Sequence, residues 1–141
     1  MAKSRPKPAA NPAGYSGTPL VKKLGIREGA NVVLAGAPER FEESIADLPE
    51  GARVGRRLSG RPDMILWFVR SKAELLRGVC AMKPRSSGSG LWIVWAKKTS
   101  PLFNGVTEND VRDAALAAGM VDFKVCAVDD DWSGLRFNLR S

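Results

Sequence analysis

A chain of 141 residues with 44% apolar content is long enough for one hydrophobic core and too apolar for general disorder. It contains no histidine, which excludes Ser-His-Asp and Cys-His nucleophile systems and the common histidine-bearing zinc sites. The net charge of +7 sits mainly in residues 1–27, which hold Lys3, Arg5, Lys7, Lys22, Lys23 and Arg27 and no acid, while the remainder carries 16 basic and 15 acidic side chains.

No apolar run approaches a transmembrane helix, and the basic N-terminus lacks the apolar core of a secretory signal. The expected location is the cytoplasm. The two cysteines, Cys80 and Cys126, have no CxxC spacing and sit in apolar settings, so both are expected to be buried and reduced.

Residues 1–14 are lysine, arginine, proline, alanine and asparagine with little to pack, and are expected as a disordered basic tail. Its three cations before Gly14 allow weak, salt-sensitive contact with a polyanion such as nucleic acid. Residues 15–141 are expected as a single α/β domain. Thr18 as N-cap, Pro19 at the first helical position and Gly25 just past the end mark a short helix from about Pro19 to Leu24, lying against a sheet edge.

Asn31 to Ala35 reads as the first strand. Phe41, Ile45 and Leu48 share one helical face, so Glu39 to Leu48 is expected as an amphipathic helix stopped by Pro49 and Gly51. Arg53 to Leu58, with its arginines, is at most an edge strand. Met64 to Val69 is an unbroken apolar run, as a central strand covered on both faces would be.

Ser71-Lys72-Ala73-Glu74 is a capping box, and Leu75, Leu76, Val79 and Met82 supply the buried face of the helix it opens. Lys83 to Gly90 reads as a loop, and Leu91 to Trp95 as the next strand. Trp92 and Trp95 should project to opposite faces. Thr107 starts a helix through Ala118, with Val111, Ala115 and Ala118 inward. Phe123 to Val128 is a strand. Asp129 to Gly134 is a turn holding Trp132, and Leu135 to Leu139 returns as the last strand. The fold expected is a Rossmann-like three-layer α/β sandwich, with a mostly parallel sheet and a C-terminal antiparallel hairpin. The sequence leaves a dimer through the sheet edge open.

The order from Asp63-Met64-Ile65-Leu66 through Lys83-Pro84, Leu91-Trp92-Ile93-Val94, Ala118-Gly119, Phe123-Lys124-Val125 and Leu135-Arg136-Phe137 resembles the C-terminal half of a Rossmann-like methyltransferase. Two longer strings resemble a family of short bacterial proteins, domain of unknown function family 3052. They are Tyr15 to Ile26 at the opening, and Lys124 to Asp129 with Trp132-Ser133-Gly134-Leu135 at the close. That second resemblance implies domain limits and a bacterial cytoplasmic setting, and no activity.

The methyltransferase resemblance implies glycines and an acid around the turn after strand one, and an acid after strand two for the ribose hydroxyls. Residues 34–38 read Leu-Ala-Gly-Ala-Pro, and the second strand offers Arg53, Arg56 and Arg57. Both requirements are unmet. A dinucleotide site lacks the same glycines.

Ligands of open α/β sheets sit beyond the carboxyl ends of the parallel strands. The candidate ligand-binding residues there are Gly36, Arg70, Ser71, Lys97, Lys98, Thr99 and Ser100. They either converge on a phosphate at the start of the Ser71 helix or are a simple cap with solvated lysines. Trp132 is either a lid over the sheet end or an anchor for its turn. Asp129, Asp130 and Asp131 lack the spacing of a calcium loop, so no metal site is expected. No cofactor is named by the sequence. The leading expectation is a non-catalytic binding or regulatory module on a degenerate methyltransferase-like fold. The alternatives are an S-adenosylmethionine- or nucleotide-binding enzyme, and a nucleic-acid-associated protein acting through its basic arm.

Overall fold

Apolar residues alternate between two faces of one mixed sheet, and each face carries its own core. The computed structural model describes residues 19–57, 62–85 and 90–139. The basic tail, Thr18 and residues 86–89 lie outside the described residues.

Six strands are described: β1 (Asn31–Ala35), β2 (Arg53–Gly55), β3 (Met64–Phe68), β4 (Gly90–Ala96), β5 (Met120–Ala127) and β6 (Trp132–Leu139). Their order is β2-β1-β3-β4-β6-β5. The first four neighbours are parallel, and β6 runs antiparallel to both β4 and β5. Every residue of β3 and β4 is buried, as a strand covered on both faces requires.

The register sorts these side chains into rows. Val33, Ile65, Leu91 and Phe137 are successive partners across four strands, on the face covered by α2 (Lys72–Arg85) and α3 (Glu108–Ala117). Leu34, Leu66, Trp92 and Arg136 form the adjacent row. That row faces α1 (Leu20–Leu24) and a 3-10 helix at Phe41–Ile45. Trp92 and Trp95 do fall on opposite faces.

Local chemistry explains the helices. Ser71 Oγ accepts from Glu74 N at 3.0 Å, and the Glu74 carboxylate accepts from Arg70 N at 2.6 Å. Thr107 Oγ1 accepts from Asp110 N, whose own carboxylate accepts from Thr107 N at 3.0 Å, a reciprocal cap that starts α3. Gly25 ends α1 at φ 83°, a left-handed conformation open to glycine.

Several expectations are corrected. The amphipathic helix over Glu39 to Leu48 is a five-residue 3-10 turn. Phe41 and Ile45 are buried as its pattern requires, but Arg40 at φ 71° breaks the helical path before it. α2 continues to Arg85 where a loop was expected from Lys83, so Pro84 lies within the helix. Leu76 is 65% exposed, because Leu75 and Val79 already fill the face turned to the sheet. α1 covers a face and not an edge, pinned by Trp92 Nε1 donating to the Leu24 carbonyl at 3.0 Å. Cys80 is exposed on α2, while Cys126 is buried. Trp132 opens β6 and does not sit in the turn.

Candidate functional site

The parallel strands end at Gly36, Arg56, Val69 and Lys97, so this edge is where a ligand of such a sheet would sit. Gly36 turns the chain after β1 at φ 71°. A Cβ there would stand 3.0 Å from the Phe68 carbonyl oxygen and 3.3 Å from Arg70 Nη1. Glycine therefore permits both the turn and the close passage of β3 and its arginine. Gly36 and Arg70 are brought together.

The space after this turn is taken by Arg56, from the end of β2. Its Nη1 donates to the Ala37 carbonyl at 2.9 Å and its Nη2 to the Pro38 carbonyl at 2.7 Å. Nε and Nη2 donate to the two carboxylate oxygens of Glu42 at 2.7 and 3.0 Å. The fork is thus satisfied from both sides. The Arg56 hydrogen bonds hold the Glu42 carboxyl down to about 2, with Glu42's own backbone N–H helping. The bonds to Ala37 and Pro38 also fix the chain just before the left-handed Arg40, which pairs with Glu43 at 2.8 Å.

Arg56 was named from the sequence only as standing where an acid was required, and not as a candidate site residue. The signal was present: Glu39, Glu42 and Glu43 follow β1, and Arg53, Arg56 and Arg57 mark β2. Two segments of opposite charge leaving adjacent parallel strands are placed to pair.

The remaining candidates divide. Ser71 is engaged in capping α2. Ser100 is buried, donates to Asp131 Oδ1 at 2.8 Å and accepts from Leu102 N at 2.9 Å. With Lys97 N donating to the Asp131 carbonyl at 2.8 Å, it fastens the loop after β4 to the β5–β6 turn. Thr99 is exposed on that loop. Lys97 and Lys98 line a cavity of about 440 Å³ with Trp95, Val106, Thr107 and Ser133. Gly36, Arg70 and Ser71 are not among its lining residues.

Trp132, the first residue of β6, packs into the core. It is 5% exposed and meets Phe68 edge-on, with ring centroids 5.1 Å apart. Asp129 Oδ1 accepts from Asp131 N at 2.8 Å and Trp132 N at 2.9 Å, which shapes the turn. Burial raises the Asp129 carboxyl above its ordinary value against those two donors. Among the described residues no cluster of three or more cysteine, aspartate or glutamate side chains is placed to hold a metal ion. No described helix is long and apolar enough to cross a membrane.

A second cavity, of about 580 Å³, opens at the opposite, amino end of the parallel strands. Gly25, Arg27, Gly29, Asp63, Gly90, Arg136 and Asn138 are among its lining residues. Local pattern offered no sign of it, because it is assembled from four separate segments.

The fold is that of known methyltransferases. An S-adenosylmethionine-dependent methyltransferase from Aquifex aeolicus superposes with a TM-score of 0.63 at 17% identity, over 84% of this chain and 86% of that one. A possible exported protein from Bordetella parapertussis gives 0.59 at 11% identity, over 86% of this chain and 65% of that one. A mitomycin 7-O-methyltransferase gives 0.59 at 11% identity, over 79% of this chain and 49% of its own length. At these identities the likeness is one of fold. No family model and no curated protein sequence matches the chain, so the resemblance to family 3052 gains no support there.

Proposed function

We propose that this chain is a non-catalytic binding module built on a methyltransferase-like fold. One observation carries the reading: the guanidinium of Arg56 fills the turn after β1 and is locked there by two backbone carbonyls and Glu42. A nucleoside ligand at that turn needs its backbone accessible and a carboxylate after β2. Here the carbonyls are occupied and the residue after β2 is a cation. Glu42 does not substitute for the missing acid, because both its oxygens accept from Arg56. The chemistry left at this end of the sheet is recognition by Arg70 and by Lys97 and Lys98.

A second reading, an S-adenosylmethionine-binding enzyme, is supported by the likeness to the Aquifex aeolicus enzyme over most of both chains. Isothermal titration with S-adenosylmethionine and S-adenosylhomocysteine separates the two. No saturable heat is expected from the wild-type chain. Saturable binding of either compound, weakened by replacing Gly36 with alanine, would overturn the module reading in favour of the enzyme.

A further inference from the structure

An indole N–H taken out of water needs an acceptor. Trp92 has one in the Leu24 carbonyl. Trp95, on the opposite face of β4, is nearly as enclosed at 5% exposed, yet among the described residues nothing accepts from its indole N–H. Trp95 also lines the cavity of about 440 Å³ at the carboxyl end of β4, so the little surface it keeps is turned to that space.

The rest of that cavity is rich in donors. Lys97 and Lys98 border it, and neither ammonium has a hydrogen bond or ion pair among the described residues. The side chains of Asn109 and Ser133 are likewise uncommitted there. Thr107 Oγ1 accepts from Asp110 N at 3.2 Å, which leaves its hydroxyl proton to donate. Glu108, an acid on the rim, accepts from Arg112 Nη2 at 2.8 Å and is already paired. Val106, fully buried, gives an apolar wall beside the indole. Burial raises the Asp129 carboxyl, and the charge of Lys97 acts against that rise. Lys97 is thereby shared with Asp129, and the charge of Lys98 is left to the cavity. That balance suits a monoanion better than a phosphate dianion.

We propose that the cavity between the end of β4, the start of β6 and the start of α3 binds a small carboxylic acid with an apolar body, its carboxylate taken by the Lys98 ammonium and the Trp95 indole N–H and its body laid against Val106. An ammonium and an indole N–H donate and cannot accept, so together they select an acceptor-only group, and the ammonium bond is of the stronger, charge-assisted kind. The volume is within the range of small-molecule sites. This deepens the module reading, on which it rests for Lys98 as a recognition residue, by naming what is recognised.

The test is titration of the full chain with benzoate, and with benzamide as its uncharged counterpart, at constant ionic strength, followed through the indole N–H resonances. The Trp95 resonance is identified by its loss in Trp95→Phe. It should shift saturably with benzoate and respond far more weakly to benzamide. Lys98→Ala, a change at an exposed residue, should weaken benzoate binding about ten-fold, as loss of a charge-assisted hydrogen bond does. Arg27→Ala, at the opposite end of the sheet, should leave it unaltered. Absence of a saturable shift, equal affinity for benzamide, unchanged affinity in Lys98→Ala, or loss in Arg27→Ala would each overturn the proposal. The module reading fails by a different signal, heat with S-adenosylmethionine, so the two failures are told apart.

Discussion

Replacing Trp92 with phenylalanine tests how α1 is held. The indole is fully buried, and its Nε1 donates to the Leu24 carbonyl at the end of α1. Phenylalanine keeps an aromatic ring in the row but cannot donate. The Leu24 carbonyl then loses this partner in a buried setting, which costs about 1–3 kcal/mol. The smaller ring also removes about three heavy atoms from a packed site, worth roughly a further 1–2 kcal/mol. The sum, about 2–5 kcal/mol, is a large part of the 5–15 kcal/mol typical of a domain. Urea unfolding should show this loss at unchanged slope. Two other hydrogen bonds on α1 run from Lys23 Nζ to the Ala127 carbonyl at 3.1 Å and from Lys124 Nζ to the Lys23 carbonyl at 3.0 Å. Both are exposed and exchange readily with water, so they cannot compensate. Amide exchange at Ile26, whose N–H bonds the Val21 carbonyl, should accelerate more than exchange in β4. A loss below about 1 kcal/mol with Ile26 protection unchanged would refute the argument, since that is the range of a site without such a role.

Gly78→Ala on α2 should destabilise in spite of the better helix propensity of alanine, because its Cβ would stand 2.5 Å from the buried Trp67 ring; a cost of about 1–3 kcal/mol is expected in urea unfolding. Cys80 should react with a thiol reagent in the native protein and Cys126 only on unfolding, since Cys126 is buried and burial pushes its thiol pKa up; two equivalents reacting at one rate would contradict this. Asp129 is raised by burial, so protonation favours its folded state, and its contribution is lost as pH rises through the folded value. Asp129→Asn keeps an acceptor for Asp131 N and Trp132 N and removes that loss. It should flatten stability between the acid range and neutrality, and lower stability at neutral pH would sink the assignment.

What the sequence made legible follows from how local each signal is. The central strand at Met64, the capping box at Ser71, the helix start at Thr107 and the glycine after α1 depend on neighbours a few residues away, and each was readable. The segment Glu39 to Leu48 was misread because burial of Phe41 and Ile45 satisfies a helix and a 3-10 turn alike. Its backbone is held by Arg56, which is remote in sequence. Trp132 was ambiguous for a similar reason: its partner Phe68 lies on another strand. At the candidate site, the absence of glycines and of an acid after β2 could be read directly. What replaced them was visible only as acids after β1 and arginines at β2, and joining the two segments needs the adjacency of the strands, which no local pattern gives. The passage of Arg136 beside Gly25 and Gly90, where an added Cβ would stand 2.9 and 2.8 Å from its guanidinium, depends on residues that look like ordinary punctuation until the sheet brings them together.

The strand order also constrains assembly in time. β6 follows β5 in the chain, yet it lies inside β5 in the sheet and bonds to both β4 and β5. β5 therefore has no partner strand until β6 has been made, and β4 keeps an open edge for as long. A chain emerging in order would hold the four parallel strands as a template with Trp92 and Ile93 along its unpaired margin, vulnerable to the wrong strand. Pairing of β6 with β4 closes that margin and carries β5 with it. The last two strands in the chain thus complete the sheet together, and β6 also brings Arg136 over Gly90.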